Sequence, residues 1–318
     1  MWISPYKYVL SLGHLCSDIN QSILSAVLPF LIATYHYDYT TAAMLVTVSN
    51  VFGAFVQPFI GMLSDKKNKL LYMTLGVLLA SGGMAVTGFI SNFFGLWIVV
   101  IMSGIGVAMF HPQAAKLFNS VSSKNAKGKG ISIFSFGGKV GFTLGPVYTA
   151  FLMNLFGMKG TILFLIPGIV FGIVCSFFNK DFENLDVLEV EKKEKVKSEQ
   201  KDDWSGFIKL CCVVFSRSIL SNGISTFLAF YFIQQFSKSN SFASMLLSVF
   251  YGIGSITLLG GGIADCFGHR KMVRLSFCIF LPAIFIFTNT SHFVIALIML
   301  IFMTCGESLS YSPMVVLG

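Results

Sequence analysis

The sequence has very little charge. Asp, Glu, Lys and Arg make up 11% of its 318 residues, whereas a soluble domain carries about 25%. Hydrophobic residues make up 55% of the chain. This balance excludes an ordinary soluble protein and predicts an integral membrane protein.

Several chemical signatures are also absent from the sequence. The seven cysteines form no C-x-x-C pair, so neither a zinc site nor a disulfide framework is indicated, and we expect them to be small packing residues. No phosphate-binding loop, nucleotide-binding string or hydrolytic triad is visible. These absences argue against an enzyme and a primary pump, and we expect no cofactor and no metal.

Long apolar runs are abundant. A helix needs roughly 20 residues, at about 1.5 Å per residue, to cross a hydrocarbon layer about 30 Å thick. Runs of this length favour helices over the short alternating strands of a barrel. The first run is too long for a cleaved signal and contains a carboxylate. Ten runs are long enough, near residues 8–34, 42–64, 70–90, 93–117, 130–155, 160–179, 206–236, 242–264, 272–289 and 293–317.

Basic residues fall in alternate loops. Because Lys and Arg of short loops stay on the cytoplasmic side, we expect a multi-pass protein of the plasma (inner) membrane with a cytoplasmic N-terminus. The opposite loops contain only Lys159 and Lys238. The formal net charge of +8 is therefore a topology signal and indicates no nucleic-acid partner. The basic set is Lys66, Lys67, Lys69, Lys116, Lys124, Lys127, Lys129, Arg270, Lys271 and Arg274.

One segment, residues 180–204, differs from the rest in composition. It holds nine of the 14 acidic residues and six lysines, with few apolar positions to bury. This composition indicates a solvated cytoplasmic linker. We therefore expect an N-terminal six-helix bundle in residues 1–179 and a C-terminal bundle with four helices in residues 205–318.

A short motif occurs twice at equivalent places in the two bundles. "GMLSDKKNK" (61–69) ends the second run, and "GGIADCFGHRK" (261–271) ends the eighth. Glycine allows a neighbouring helix to approach closely, and aspartate can accept from the amides of the next helix. Basic residues that follow could pair across the bundle. The predicted gating residues of the motif are Gly61, Asp65, Lys66, Lys69, Gly261, Asp265 and Arg270.

The fifth run carries a glycine face. Gly137, Gly138, Gly141 and Gly145 stand three and four residues apart, so one side of the helix is nearly bare backbone and a partner helix can pack against it. Pro146 follows and is expected to bend the helix. Close packing alone is one interpretation of the glycines; a conformational role for Gly141, Gly145 and Pro146 is the other.

Away from their ends, the predicted spans contain four charges: Asp18, Lys139, Arg217 and Glu307. Each costs at least ~2.5 kcal/mol at the middle of a helix, so they are expected to face a cavity or a partner. Polar residues at helical spacing accompany them. Gln21 belongs to the polar face of the first helix. Lys139 and Arg217 could favour an anionic substrate, or could simply neutralise Asp18 and Glu307 in permanent ion pairs.

His14 and Asp18 stand one helical turn apart in the first run. They could form a buried hydrogen bond that only orders the helix. The functional alternative is a proton site, because a desolvated carboxylate beside an imidazole can titrate near neutral pH. A metal site is the weakest interpretation, since the two residues supply only two ligands. His111, next to Pro112, is expected to bond a carbonyl freed by the proline or to act in a cavity or gate.

The repeated glycine–aspartate–basic loop resembles that of the major facilitator superfamily, which has two six-helix halves. The resemblance implies twelve helices, a cavity lined by the first, fourth, seventh and tenth, and alternating access; the sequence stops at Gly318, at the end of the tenth run. The Gly-x-x-x-Gly-Pro of the fifth run is similar to an antiporter signature of that superfamily.

Four strings carry a narrower resemblance. They are similar to the fosmidomycin resistance family of drug exporters. Gln113 stands where this family has an acid, and Lys139 stands where it usually has an uncharged residue. The strings are "GHLCSDINQSILSAVLPFL" (13–31), "MFHPQAAKL" (109–117), "FGGKVGFTLGP" (136–146) and "RSILSNGISTFLAFY" (217–231).

These observations predict a monomeric, proton-coupled antiporter that exports a small drug-like or anionic molecule across the bilayer by alternating access. Proton-linked uptake of a nutrient is an alternative on the same fold, and a non-transporting sensor or inert fragment is another. The expected proton-coupling residues are Asp18, His14 and Glu307. The expected substrate-binding residues are Gln21, His111, Gln113, Lys139 and Arg217.

Overall fold

A computed structural model describes residues 5–64, 69–121, 127–178, 204–257 and 267–309. These ranges contain helices and no β-strand, which confirms the predicted all-α fold. Seven segments are long and apolar enough to cross a membrane, and one of them, Phe134–Phe178, joins two helices. The ten long helices are α1 (Pro5–Tyr35), α2 (Tyr39–Ser64), α3 (Lys69–Ala85), α4 (Phe93–Val121), α5 (Lys127–Phe156), α6 (166–178), α7 (Trp204–Phe236), α8 (Asn240–Thr257), α9 (His269–Asn289) and α10 (Phe293–Leu309).

The start of the sixth helix differs from the prediction. The apolar run begins near residue 160, but Gly157–Leu165 forms a 3₁₀ helix and α6 begins at residue 166. Gly157 has a φ of 58°, a left-handed conformation that glycine adopts without strain. Pro167 lies in the first turn of α6, where its missing N–H costs no helical hydrogen bond. Hydropathy could not register this change of helix type, because both segments are apolar.

The chain divides into two compact units, Met1–Ser198 and Glu199–Gly318. The division falls inside the segment that the composition predicts to be a linker. Residues 179–203 lie outside the described ranges, so the linker remains a prediction.

In the first unit, α1 is the most enclosed helix. Of its apolar window 78% is buried inside the protein, against 33% for the window that contains α5 and α6. Fully buried side chains of α1, α3, α4 and α6 form a common core, which includes Leu10, Met73, Phe110 and Phe171. Burial of α1 by protein rather than lipid explains how this helix tolerates polar residues.

Three loops of the first unit meet at one end. The Tyr35 hydroxyl donates to the Gly88 carbonyl at 3.0 Å, and the Tyr37 hydroxyl donates to the Ser91 carbonyl at 2.6 Å. The Gly88 amide donates to Thr161 Oγ1 at 3.1 Å. The loops after α1, α3 and α5 therefore share an end, as the alternation of basic loops predicts. The side of the membrane on which they lie remains a prediction.

The second unit is held by contacts among α7, α8, α9 and α10. The Tyr231 hydroxyl of α7 donates to the Phe287 carbonyl of α9 at 2.6 Å. A Cβ at Gly306 of α10 would lie 2.9 Å from the Ser276 carbonyl of α9, so the two backbones are nearly in contact. The Lys238 ammonium, in the loop after α7, lies 4.2 Å from the centre of the Phe293 ring of α10. This distance is typical of a cation–π contact.

Candidate functional site: a His–Asp–His cluster

Three ionisable side chains meet between α1 and α4. His14 Nε2 lies 3.3 Å from Asp18 Oδ2, and His111 Nε2 lies 3.4 Å from Asp18 Oδ1. The two imidazole rings are 5.3 Å apart and nearly perpendicular. The carboxylate therefore lies between two histidines, one on its own helix and one on the neighbouring helix.

The cluster is largely withdrawn from solvent. Asp18 is 3% exposed, and the side chains of His14 and His111 are 15% and 29% exposed. Asp18 Oδ1 is buried and accepts no hydrogen bond from the described residues, although His111 Nε2 lies 3.4 Å away. A carboxylate in such a place is costly to ionise, so its charge state depends on the three neighbouring groups described here: His14, His111 and Lys139.

The backbone of α5 holds His14 in place. His14 Nδ1 lies 2.9 Å from the Phe134 carbonyl oxygen, and the imidazole stacks on the Phe134 ring at 4.2 Å between centres. A carbonyl oxygen only accepts, so Nδ1 is the donor. Nε2 is consequently the nitrogen that faces Asp18.

The glycine face of α5 makes this approach possible. A Cβ at Gly138 would lie 2.5 Å from Asp18 Oδ2 and 2.6 Å from His14 Nε2. A Cβ at Gly137, Gly141 or Gly145 would collide with backbone or side-chain atoms of α1. The close packing predicted from the glycine spacing is confirmed, and the partner helix is α1. Pro146 is buried, and α5 continues through it to Phe156.

Lys139 adds a positive charge to the cluster. It follows Gly138 on α5, is half-buried, and interacts electrostatically with both Asp18 and His14. Its carbonyl accepts from Thr143 Oγ1 at 2.8 Å, which is a local contact within the helix.

The same three side chains could also hold a metal ion. One donor atom each from His14, Asp18 and His111 lies within 4.8 Å of the others, and the two nitrogen–oxygen distances resemble those between ligands of a tetrahedral ion with bonds of about 2.0–2.1 Å. The sequence accounted only for the pair on α1, because the third donor is 93 residues away along the chain. The nearby Lys139 charge opposes a divalent cation, so a proton suits this cluster better.

Arg217 and Glu307 form an ion pair in the second unit. The Arg217 guanidinium donates to the Glu307 carboxylate, and Ser308 Oγ donates to the other carboxylate oxygen at 3.2 Å. Their side chains are 16% and 11% exposed. This contact is the neutralising alternative that the sequence left open for these two residues.

Two predicted substrate-binding residues do not join the cluster. Gln21 is exposed, within a run from Cys16 to Pro29 that is otherwise buried. Gln113 is fully buried and its amide points to the Ile60 carbonyl of α2 at 3.5 Å. A substrate role for either residue remains a prediction.

The gating motif is only partly described. At Gly61, a Cβ would meet none of the described atoms within 4 Å, so the close helix approach expected there is not found; its carbonyl instead accepts from Lys116 Nζ at 3.0 Å. Arg270 is exposed in the first turn of α9, and Lys69 begins α3. Asp65, Lys66, Gly261 and Asp265 lie outside the described residues.

Sequence reasoning missed one polar residue of α1 and one backbone group of α5 that contacts α1. Asn20 is fully buried and donates to Ser81 Oγ of α3 at 2.9 Å and to the Cys16 carbonyl at 2.8 Å. The Phe134 carbonyl was also missed, because a backbone acceptor leaves no signal in residue type. For Asn20, an amide inside an apolar run was the available signal.

The comparisons with known proteins agree with this architecture. The sequence profile of the Major Facilitator Superfamily matches residues 10–318, and the chain belongs to this family. One relative, the fosmidomycin resistance protein of Escherichia coli (strain K12), is 23% identical over 276 residues, which cover 83% of this chain and 66% of the relative. A second relative is an uncharacterized MFS-type transporter, YfnC, of Bacillus subtilis (strain 168). The chain spans about two thirds of the length of each of these two relatives.

Solved structures share the fold. A bacterial homolog of the human lysosomal transporter Spinster, in an inward-facing and occupied conformation, matches with a TM-score of 0.78 at 16% identity, over 98% of this chain and 73% of its own. The xylose transporter XylE from E. coli, in an inward-open conformation, matches with a TM-score of 0.76 at 15% identity, over 98% of this chain and 81% of its own.

Proposed function

We propose that the protein is a secondary transporter that couples the export of a small drug-like or anionic molecule to proton entry by alternating access. The observation that carries the proposal is the buried His14–Asp18–His111 cluster inside a transporter fold. A carboxylate between two imidazoles can take up and release a proton, whereas a purely structural contact needs no titratable group.

Proton coupling is energetically sufficient for such work. Moving one elementary charge through 100 mV releases ~2.3 kcal/mol, which sustains roughly a 50-fold substrate gradient per proton at ~1.36 kcal/mol per decade. The relative named for fosmidomycin resistance supports export of a drug-like compound, and phosphonates are therefore the first substrates to screen. We further propose that the protein is a monomer in the plasma membrane with its N-terminus in the cytoplasm.

The experiment has two stages. Expression in a drug-sensitive host, with a growth screen of phosphonates and uncharged drugs, identifies a substrate. Reconstituted protein then receives that substrate and an imposed proton gradient. Asp18→Asn should abolish gradient-driven accumulation and retain exchange without a gradient, because exchange moves no net proton. Asp38→Asn, which removes an exposed carboxylate outside the spans, is the matched control and should behave as wild type. Undiminished accumulation by the Asp18→Asn protein would refute the coupling role.

Proton-linked uptake is the second candidate, and Lys139 favours it for an anionic substrate. Protonation of Asp18 removes a negative charge beside Lys139, so the site becomes more positive and an anion binds more readily together with the proton. The sign of the proton movement on substrate binding separates the candidates. Proton uptake into the protein on binding indicates co-transport, and proton release indicates export by antiport.

The repeated cytoplasmic motif is proposed to control the conformational change. Asp65 and the basic residues Lys66 and Lys69 are expected to stabilise the outward-facing state, with Gly261, Asp265 and Arg270 as their counterparts. Asp65→Asn should slow turnover and leave substrate affinity largely intact. Equal loss of binding and transport would assign Asp65 to the substrate site instead.

A further inference from the structure

The Phe134 carbonyl determines which nitrogen of His14 carries a proton. The 2.9 Å contact to Nδ1 requires a proton on Nδ1. A neutral imidazole then has its lone pair on Nε2, which faces Asp18 Oδ2 at 3.3 Å. Two lone pairs at this distance repel each other, so a favourable contact requires a proton between these two atoms.

We propose that Asp18 Oδ2 and His14 Nε2 share one proton, that the Phe134 carbonyl positions His14 to hold it, and that Lys139 becomes the counter-charge of Asp18 when the proton leaves. The inference rests on the proposed function and deepens it, because it names the atoms that carry the coupling proton. It also gives a role to Lys139, a charge that the sequence alone could not place.

Asp18 and Lys139 together carry a net positive charge in the loaded state and no net charge after release. In the loaded state the carboxyl is neutral and its proton bonds to His14 Nε2, while Lys139 keeps its positive charge. On release the Oδ2–H bond breaks and the proton passes to water. Asp18 is then an anion, and its charge is compensated by the Lys139 ammonium. Neither state leaves a buried carboxylate without a cation, which is the arrangement that a low-dielectric environment penalises most.

The ionisable groups around Asp18 are few. They are His14 on α1, His111 on α4 and Lys139 on α5. Of the other helices in this unit, α2 and α6 contain no charged residue or histidine, and α3 contains only Lys69, at its first position. The burial of Asp18 and these three side chains of the described residues therefore govern its pH response.

Movement of α5 would change the Phe134 contact of His14 and the position of the Lys139 charge at the same time. Phe134 and Lys139 stand on the same helix, and that helix contacts α1 through glycine backbone. A small displacement of α5 along α1 breaks the bond to His14 Nδ1 and moves the Lys139 ammonium relative to Asp18. Proton affinity is thereby tied to the position of one helix.

Infrared difference spectroscopy of the purified protein during a pH titration tests the inference without any substrate. A protonated carboxyl has a carbonyl stretching band that an ionised carboxylate lacks. The band should disappear in Asp18→Asn. In Lys139→Gln it should persist to higher pH, by about one pH unit or more, because the competing cation is gone. Lys139→Arg keeps the charge and Lys159→Gln removes an exposed lysine; both should leave the midpoint unchanged.

Two amide variants of His14 test whether the Nε2 position accepts the shared proton. Gln places an acceptor where Nε2 was, and Asn places a donor where Nδ1 was. His14→Gln should therefore keep the Asp18 band at the frequency of a hydrogen-bonded carboxyl. His14→Asn should move the band to the frequency of a free carboxyl and lower its titration midpoint.

Each result that differs from these expectations overturns one part of the proposal. A carboxyl band that survives Asp18→Asn places the proton elsewhere, and a midpoint unmoved in Lys139→Gln removes the counter-charge role. Identical spectra for the two His14 variants remove the role of His14 Nε2 as the acceptor of the shared proton. Failure of this inference can be distinguished from failure of the proposed function. If the wild-type protein transports with a proton gradient but shows no Asp18 carboxyl band, only the inference is overturned. If the Asp18 band is present but no proton-driven transport occurs, only the transport proposal is overturned.

Discussion

Arg217 and Glu307 illustrate how a charge is accommodated inside a helix bundle. Each side chain is mostly enclosed, and each compensates the other. Loss of one partner leaves a poorly solvated charge behind. We expect Arg217→Gln and Glu307→Gln to destabilise the protein by about 2–4 kcal/mol each, measured by thermal unfolding in detergent.

A variant that carries both substitutions tests whether the Arg217–Glu307 ion pair has only a structural role or also a role in transport. Arg217→Gln with Glu307→Gln should recover part of the lost stability, because no unpaired charge remains. If the double variant is stable and still transports, the ion pair is structural and Glu307 is not a coupling residue. Stability that falls additively in the double variant would mean that the two charges do not depend on each other.

Among helices, the contact of α1 with α5 gives the clearest stability prediction. A Cβ at Gly141 would collide with the Leu15 carbonyl, and backbone cannot move aside as a flexible side chain can. Gly141→Ala should therefore cost about 1–3 kcal/mol. Gly82→Ala is the matched control, since a Cβ there meets nothing within 4 Å, and it should be neutral or stabilising by up to about 1 kcal/mol. Equal unfolding midpoints for the two variants would contradict the packing.

The start of α2 gives a prediction about pH. Asp38 Oδ1 accepts from the Thr41 amide at 2.7 Å, and the Thr41 side chain and amide hold the pKa of the Asp38 carboxyl below its ordinary value of 3.8. Because the pKa of Asp38 is lower in the folded protein than in the unfolded chain, the ionised cap stabilises the fold at pH values above the pKa of the unfolded chain. This stabilisation is lost as the pH falls through the pKa of the folded protein. Asp38→Asn should keep a capped helix and lose this pH dependence, whereas Asp38→Ala should be less stable at neutral pH. Unfolding midpoints of the three proteins at neutral and acidic pH provide the check.

The sequence predicts helices far better than it predicts their neighbours. Apolar runs identify all ten helices because lipid imposes one length and one chemistry on every span. The glycine spacing of α5 predicts a close partner but does not identify α1 as that partner. His14 and Asp18 are visible as a pair through helical periodicity, while His111 joins them only when α4 packs beside α1. The backbone carbonyl of Phe134 has no signature in residue type at all.

At the scale of the whole molecule, the alternation of basic loops predicts which ends face the cytoplasm. The loops after α1 and α7 contain few basic residues, whereas the loop after α2 and the first two turns of α9 are rich in them. A cysteine at His36 or Ser239 should react with a membrane-impermeant maleimide in intact cells, and a cysteine at Lys67 should react only after lysis. The native cysteines are first replaced by serine or alanine. Labelling of the Lys67 site in intact cells would reverse the orientation.

The enclosure of α1 also bears on biosynthesis. The helix α1 carries a polar face, and its main partner, α5, is synthesised about a hundred residues later. Until α5 is made, the Asp18 carboxyl has neither the Phe134-bound imidazole nor Lys139 beside it, so α1 must wait at the insertion machinery or in the lipid headgroups. Cys16, 2% exposed in the folded protein, reports this delay. It should react readily with a permeant maleimide in a nascent chain that ends at residue 122, and become protected once the chain extends to residue 178.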